Sequence, residues 1–199
     1  MSSGELETRT RILEATRRLM EERRGRDVRM RDIAEAASIS RQAVYDHFGS
    51  RAKLLVATTH YVDEVRGLKE RRRHFEVATT GVERLEAYVE FWGNYIPEVY
   101  GMAKALLAVR ETDEAAAAAW DDRMSAVRKS CRRTIEALYR DEMLASEWSR
   151  EEAVDLMWTM LSIRNWEQLT IECGWSTGQY VGRMQKLLRR TFVQGSEGT

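Results

Sequence analysis

Small or apolar residues at Ile33, Ala34, Ala37, Ile39, Val44 and Phe48 keep helical spacing on both sides of one interruption, at Ser38-Ile39-Ser40. No other feature constrains the chain as strongly. Two short helices must meet at a three-residue turn, with Ala34 small where they touch and Ile39 and Val44 closing the angle between them. A helix-turn-helix of this kind presents its second helix to the DNA major groove. The stretch from Met30 to Phe48 should therefore hold a first helix, the turn, and a recognition helix opening at Arg41.

Charge placement points the same way. The start of a helix carries partial positive charge and unpaired N–H groups, so it favours acidic residues and disfavours basic ones. Here the first helix opens near Arg29 and Arg31, the second at Arg41, and the next, capped by Ser50, at Arg51 and Lys53. Three successive starts carry the unfavourable sign, which makes sense where each abuts a phosphate. Reach then assigns roles. Ser40 suits the cap of the recognition helix. Arg41 and Gln42 are long enough for base edges, Arg pairing well with guanine and Gln with adenine. Ala43 allows close approach and can touch a thymine methyl, while Tyr45 and His47 lie further along and suit phosphate oxygens. The expected DNA-binding set is Arg29, Arg31, Ser40, Arg41, Gln42, Ala43, Tyr45, His47, Arg51 and Lys53.

A net charge of zero over 199 residues argues at first against nucleic acid. The distribution answers this, because residues 1–53 hold 12 Lys and Arg against 9 Asp and Glu, whereas residues 54–199 hold 20 against 23. The basic excess thus sits on the helix-turn-helix segment, where local field guides association. One Pro, 12 Gly and no cleanly alternating stretch make the chain all-α. Cys131 and Cys173 are far apart without metal-ligand spacing and read as reduced thiols in packed helices. No Gly-rich phosphate loop, metal-spaced cluster or nucleophile motif is visible, so no catalytic residue, metal or cofactor is expected and an enzyme is disfavoured. No signal peptide is visible, and no run approaches the roughly 20 apolar residues a membrane span needs, so a cytoplasmic protein without membrane contact is expected.

The remaining helices follow from periodicity. Helix 1 should cover about 6–24, and the helix starting at Ser50 should run past Val65 toward Arg73. One helix is expected from about 81 to 95, another with Pro97 in its first turn, and a long one from about 114 to 143. Ser149-Arg-Glu-Glu152 is a capping box opening an apolar helix that should end at Gly174, before a last helix over about 177–193. That dense eighth helix needs cover on more than one side, which a second copy of the chain would provide. Met157, Leu161, Tyr180, Met184, Leu187 and Leu188 are the expected dimer contacts. All six tryptophans lie beyond residue 90. Trp92, Tyr95, Trp120, Met124 and Trp158, with Arg110 as the polar group, form a candidate pocket for an apolar or aromatic small molecule. The same aromatic residues are equally explicable as core.

Residues 8–55 resemble the N-terminal domain of the tetracycline-repressor (TetR) family of bacterial transcription regulators. The likeness is carried by Arg11-Ile-Leu-Glu-Ala15, Asp32-Ile-Ala34, Ser40-Arg-Gln-Ala-Val-Tyr45, His47-Phe48 and Ser50-Arg-Ala-Lys-Leu-Leu55. Departures are Arg29 where the family often has Thr, Ser38 in place of the usual turn glycine, and Arg51 in place of the usual Lys. The resemblance implies about nine helices in all: a three-helix DNA-binding domain over residues 1–55 and a larger helical ligand-binding and dimerisation domain over 56–199. It further implies a homodimer on a near-palindromic operator, released when a small-molecule effector binds. A ligand-independent regulator or an activator is the alternative.

Overall fold

The computed structural model describes residues 3–195, whose regular structure is helical apart from one isolated bridge between Leu144 and Val193. The first four helices are α1 (Ser3–Glu22), α2 (Met30–Ala36), α3 (Arg41–Phe48) and α4 (Arg51–Val65). Then follow α5 (Leu68–Glu76), α6 (Gly81–Val109), α7 (Glu114–Arg140) and α8 (Arg150–Met160). A short α9 (Ile163–Glu167) passes into a π-helical turn, Gln168–Glu172, and α10 (Thr177–Phe192) closes the chain. The expected all-α architecture is what the chain adopts, with the helix-turn-helix at its N-terminal end. No helix among the described residues is long and apolar enough to cross a membrane.

Three boundaries differ from expectation, each for a local reason. α4 stops at Val65 because Gly67 takes a left-handed conformation (φ 68°), and α5 begins afresh at Leu68. Pro97 starts no helix; it lies inside the continuous α6. Losing one N–H mid-helix costs about 3 kcal/mol, which the burial of Trp92, Tyr95, Ile96, Met102, Ala105 and Leu106 along the same helix offsets. The apolar stretch after Ser149 is two helices rather than one. Ser162 accepts the Asn165 N–H at 3.2 Å as a new cap, and the Leu161 carbonyl receives the Trp92 indole N–H at 2.7 Å.

The chain packs as two compact units, one containing the residues up to Arg66 with Val99–Met124, the other Gly67–Glu98 with the residues from Ser125 onward. In the first unit α1 packs on α2 and α4, burying Ile12, Leu19, Met20, Ile33, Leu54 and Leu55. Gly25 (φ 77°) turns the chain out of α1, and a Cβ there would lie 2.3 Å from the Ala105 carbonyl oxygen, so only glycine fits this corner. α4 is tied to the segment around the start of α7 by two ion pairs, Arg51–Asp113 at 2.5 Å and Arg123–Asp63 at 2.6 Å, and by a His60–Asp122 hydrogen bond at 2.9 Å. The partners advance together along both helices, so α4 and the first turns of α7 run in the same direction.

The second unit is built around aromatic side chains. Phe75 lies 5.2 Å from Tyr88 and 5.0 Å from Phe91 between ring centroids, and Phe91 stacks on Tyr95 at 5.5 Å. Burial beside Tyr88 pushes the Cys131 thiol up to about 12, as expected of an inert core cysteine. Cys173 differs from expectation, standing exposed after the π-helical turn. Trp148 lies edge-on to Phe192 at 5.7 Å, and its indole N–H donates to the Thr191 carbonyl at 2.8 Å.

The start of α6 meets the end of α7 at Gly81, where a Cβ would come within 2.5 Å of the Leu138 backbone nitrogen. Backbone cannot yield as a flexible side chain can, so Gly81→Ala should destabilise the protein by about 2–3 kcal/mol in urea unfolding. The Gly81 N–H donates to the Asp141 carboxylate at 2.6 Å, which holds that carboxyl below its usual range. Such a group stabilises the fold at neutral pH and loses its contribution as pH falls through its lowered folded value. Asp141→Asn should therefore flatten the dependence of stability on pH below about pH 4, a shift measurable in acid unfolding curves.

Candidate nucleic-acid interface

The turn between α2 and α3 forms as the spacing required. Ala37 closes α2, Ser38 takes a left-handed conformation (φ 55°), and the Ile39 N–H bonds back to the Ala34 carbonyl at 3.0 Å. Serine thus does here what glycine does without strain, at a cost of about 1–2 kcal/mol. Ala34, Ala37, Val44 and Phe48 are buried beneath the turn, and Arg9 of α1 stacks over the Phe48 ring at 4.4 Å. Ser40 caps α3, its hydroxyl accepting the Ala43 N–H at 3.0 Å, and Ser50 caps α4 by accepting the Lys53 N–H at 3.2 Å.

Arg29, Arg31, Arg41 and Arg51 converge with Tyr45 on one open cleft of about 430 Å³, whose lining includes just two carboxylates among the described residues, Asp27 and Asp113. Arg29, Arg31, Ser40, Arg41, Gln42 and Lys53 are exposed, and Ala43, Tyr45, His47 and Arg51 are half-buried. Arg41 lies over the Tyr45 ring at 5.5 Å and reaches its hydroxyl at 3.5 Å, so the two present a joined surface of cation and phenol. The Gln42 amide donates to Asp46 at 2.9 Å, a partner one turn along α3 that helical spacing alone could have revealed. Lys53 lines a separate cleft beside Arg9 and His60.

Two of these residues are engaged differently from the expectation of unopposed cations at helix starts. At α2, Asp32 accepts the Arg29 N–H at 2.9 Å and lies 3.5 Å from Arg31, so this start carries the acidic residue its dipole favours. The Asp32 carboxyl is held below its usual range chiefly by that backbone N–H. At α4, Arg51 is not presented free but paired with Asp113. An aspartate before the Ala-rich start of α7 is legible as a cap, and its carboxylate does accept the Ala115 and Ala116 N–H groups at 3.0 and 3.2 Å. Its partner 62 residues away is not.

Residues 12–58 match the family described as bacterial regulatory proteins, tetR family. That match runs from α1 to the first half of α4 and so includes the whole helix-turn-helix. The match and the fold support a DNA-binding regulator, with the helix-turn-helix just described as its DNA-binding element. No curated protein sequence matches the chain. Among solved structures, a protein of Rhodococcus sp. assigned to the TetR-family transcriptional regulators is 22% identical with a TM-score of 0.72, covering 93% of this chain and 98% of its own. A Saccharomonospora viridis protein assigned as a transcriptional regulator, solved in complex with choline, is 17% identical with a TM-score of 0.72, covering 94% and 98%. NalD of Pseudomonas aeruginosa, the secondary repressor of the MexAB-OprM multidrug efflux pump, is 18% identical with a TM-score of 0.70, covering 97% and 99%. At these identities the likeness shows the fold.

The expected effector and dimer residues are placed less simply. Trp92, Tyr95 and Trp158 belong to the second unit; Arg110, Trp120 and Met124 belong to the first. Trp92 and Tyr95 are buried, and the Trp92 N–H is already used by Leu161. Arg110 is exposed and lies over the buried Trp120 at 5.9 Å. Met124 is half-buried, and so is Trp158, under Arg128 at 5.7 Å. Of the six expected dimer contacts, Met157, Leu161, Tyr180, Met184 and Leu188 are buried within the single chain, each at most 3% exposed. Their apolar faces turn inward within the second unit. Leu187 alone of the six is exposed.

The strained turn is directly testable. Ser38→Gly should raise the stability of the protein by about 1 kcal/mol, read as a higher urea midpoint with unchanged slope, because glycine adopts the left-handed conformation without the Cβ clash.

Proposed function

We propose that this regulator is a homodimeric, ligand-responsive repressor. Residues 1–55 would hold the operator and residues 56–199 would dimerise and bind the effector. The observation that carries the DNA part is the convergence of Arg29, Arg31, Arg41, Arg51 and Tyr45 on one cleft beside the start of the recognition helix. Guanidinium groups in that arrangement suit the phosphates that flank a major groove, while Gln42 and Ala43 face the bases from the first turn of α3. Two such helices in a dimer would stand about 34–36 Å apart on a near-palindromic site.

An effector that is largely apolar, aromatic or both would suit the second unit. Its core carries the Phe75, Tyr88, Phe91 and Tyr95 cluster, and the Tyr180 hydroxyl is buried there without a hydrogen-bond partner. An unpaired buried hydroxyl costs about 1–3 kcal/mol, a deficit that a ligand acceptor could relieve. The choline bound to the Saccharomonospora viridis protein and the repressor role of NalD lend support from proteins of the same fold. Release would follow from differential effector affinity for two conformations, typically about 1–3 kcal/mol of coupling.

Selection of genomic fragments by the purified protein should return a near-palindromic motif. Gln42→Ala should weaken that motif by about 1–3 kcal/mol and relax preference at one base pair per half-site. A loss equal on all sequences would mean that α3 docks differently. A thermal-shift and tryptophan-fluorescence screen of neutral aromatic compounds and quaternary ammonium ions tests the effector. Binding that leaves operator affinity unchanged would favour a ligand-independent regulator or activator. Leu187→Glu places a charge on the exposed face of α10 without entering the core. It should weaken a dimer at least about tenfold in sedimentation while leaving the thermal midpoint of the monomer unchanged, and a wild type that sediments as a monomer at micromolar concentration removes the dimer.

A further inference from the structure

Arg51 is the first residue of α4 and lines the arginine cleft, yet its charge is already spoken for. Its Nη2 donates to Oδ2 of Asp113 at 2.5 Å, with both side chains about 24% exposed. The other oxygen of Asp113 accepts the Ala115 and Ala116 N–H groups, capping α7. One carboxylate therefore does two things at once, fixing the first turn of α7 and holding Arg51. The second terminal nitrogen of the same guanidinium, Nη1, is buried without a partner. A guanidinium is suited to a bidentate anion, and this one has a single-oxygen contact on one arm and nothing on the other. Within the cleft, Arg29, Arg31 and Arg41 add positive field around it.

We propose that Asp113 is an internal counterion that competes with a DNA phosphate for Arg51. The competition lowers the affinity of the chain for duplex DNA through a residue outside the helix-turn-helix. This rests on the DNA-binding reading. A phosphate arriving at the start of α4 meets an arginine that must exchange its carboxylate for the phosphate oxygens, and meets the repulsion of the carboxylate itself. Because Asp113 is anchored to the backbone of α7, the grip on Arg51 depends on where the first turn of that helix lies. Arg51 is thus the point at which a shift of α7 alters phosphate binding without touching the recognition helix.

The test uses the full chain and a mixed-sequence duplex of about 30 base pairs, since phosphate contacts are independent of sequence. Asp113→Asn keeps an oxygen to cap α7 and removes the charge. It should bind the duplex about three- to tenfold more tightly than wild type at moderate salt. The gain should disappear when Arg51→Gln is added, and Arg51→Gln should cost more affinity in the Asp113→Asn background than in wild type. The same gain persisting without Arg51 would make Asp113 merely one more negative charge near DNA and overturn the proposal. So would unchanged or weakened binding by an Asp113→Asn protein that melts like wild type. If that variant does not fold, Asp113→Ser supplies the cap without the charge and carries the same expectation. Wild type failing to bind the duplex even at low salt would sink the DNA-binding reading itself, whereas wild-type binding without the coupling sinks only the role of Asp113.

Discussion

The placement of α4 is the constraint on which the DNA-binding unit depends. Leu54, Leu55, Thr58, Thr59 and Val62 turn their side chains inward, Leu54 and Leu55 packing with the face of α1 that carries Ile12, Leu19 and Met20. That apolar contact provides the stability, at about 25 cal/mol per Å² of surface buried. Close packing of those side chains sets α4 against α1. The contacts of Arg51, His60 and Asp63 with Asp113, Asp122 and Arg123 fix its position against the start of α7. Asp63 is only 8% exposed, so removing Arg123 would cost a nearly buried charge an ion-pair partner. Specificity of position, more than net stability, is what such partly buried pairs contribute.

The helix-turn-helix shows the same separation of tasks at smaller scale. Val44 and Phe48 seat the recognition helix, and Ser40 satisfies its first-turn N–H groups. These leave Arg41, Gln42 and Tyr45 with no structural duty beyond the helix itself. Their contacts in the free protein are short-range ones along α3, Arg41 with Tyr45 and Gln42 with Asp46. Such exposed pairs are worth little and are easily exchanged. In the proposed function, partners that weak would let these polar groups exchange onto DNA. Arg51 is different, since its partner is also a helix cap and cannot leave without cost to α7.

Much of this is legible in residue order because it is local. Helical spacing, the turn at Ser38, the caps at Ser40, Ser50 and Ser149, and the basic excess ahead of residue 54 all act between residues within about one or two turns of each other. The break at Ser162 is local too, a serine cap like the others, but the apolar residues on both sides of it mask it. The Trp92 indole reaching the Leu161 carbonyl and the Asn165 amide reaching the Thr159 carbonyl hold that interruption. Continuation through Pro97 likewise reflects burial that propensity does not see.

By itself, the sequence determined an all-helical chain with a helix-turn-helix and a basic excess toward its N-terminal end, since periodicity, caps and turn chemistry are short-range. Tertiary structure decided what covers each apolar face and which charge meets which. Met157, Leu161, Tyr180, Met184 and Leu188 do need cover, but periodicity states only that a residue is buried, and the cover is their own chain. Arg51 is a cation at a helix start, and whether it faces solvent or a carboxylate 62 residues away depends on how distant helices pack. That information is absent from any window of sequence, because it arises only when two helices with independent local reasons to form are brought to the same place.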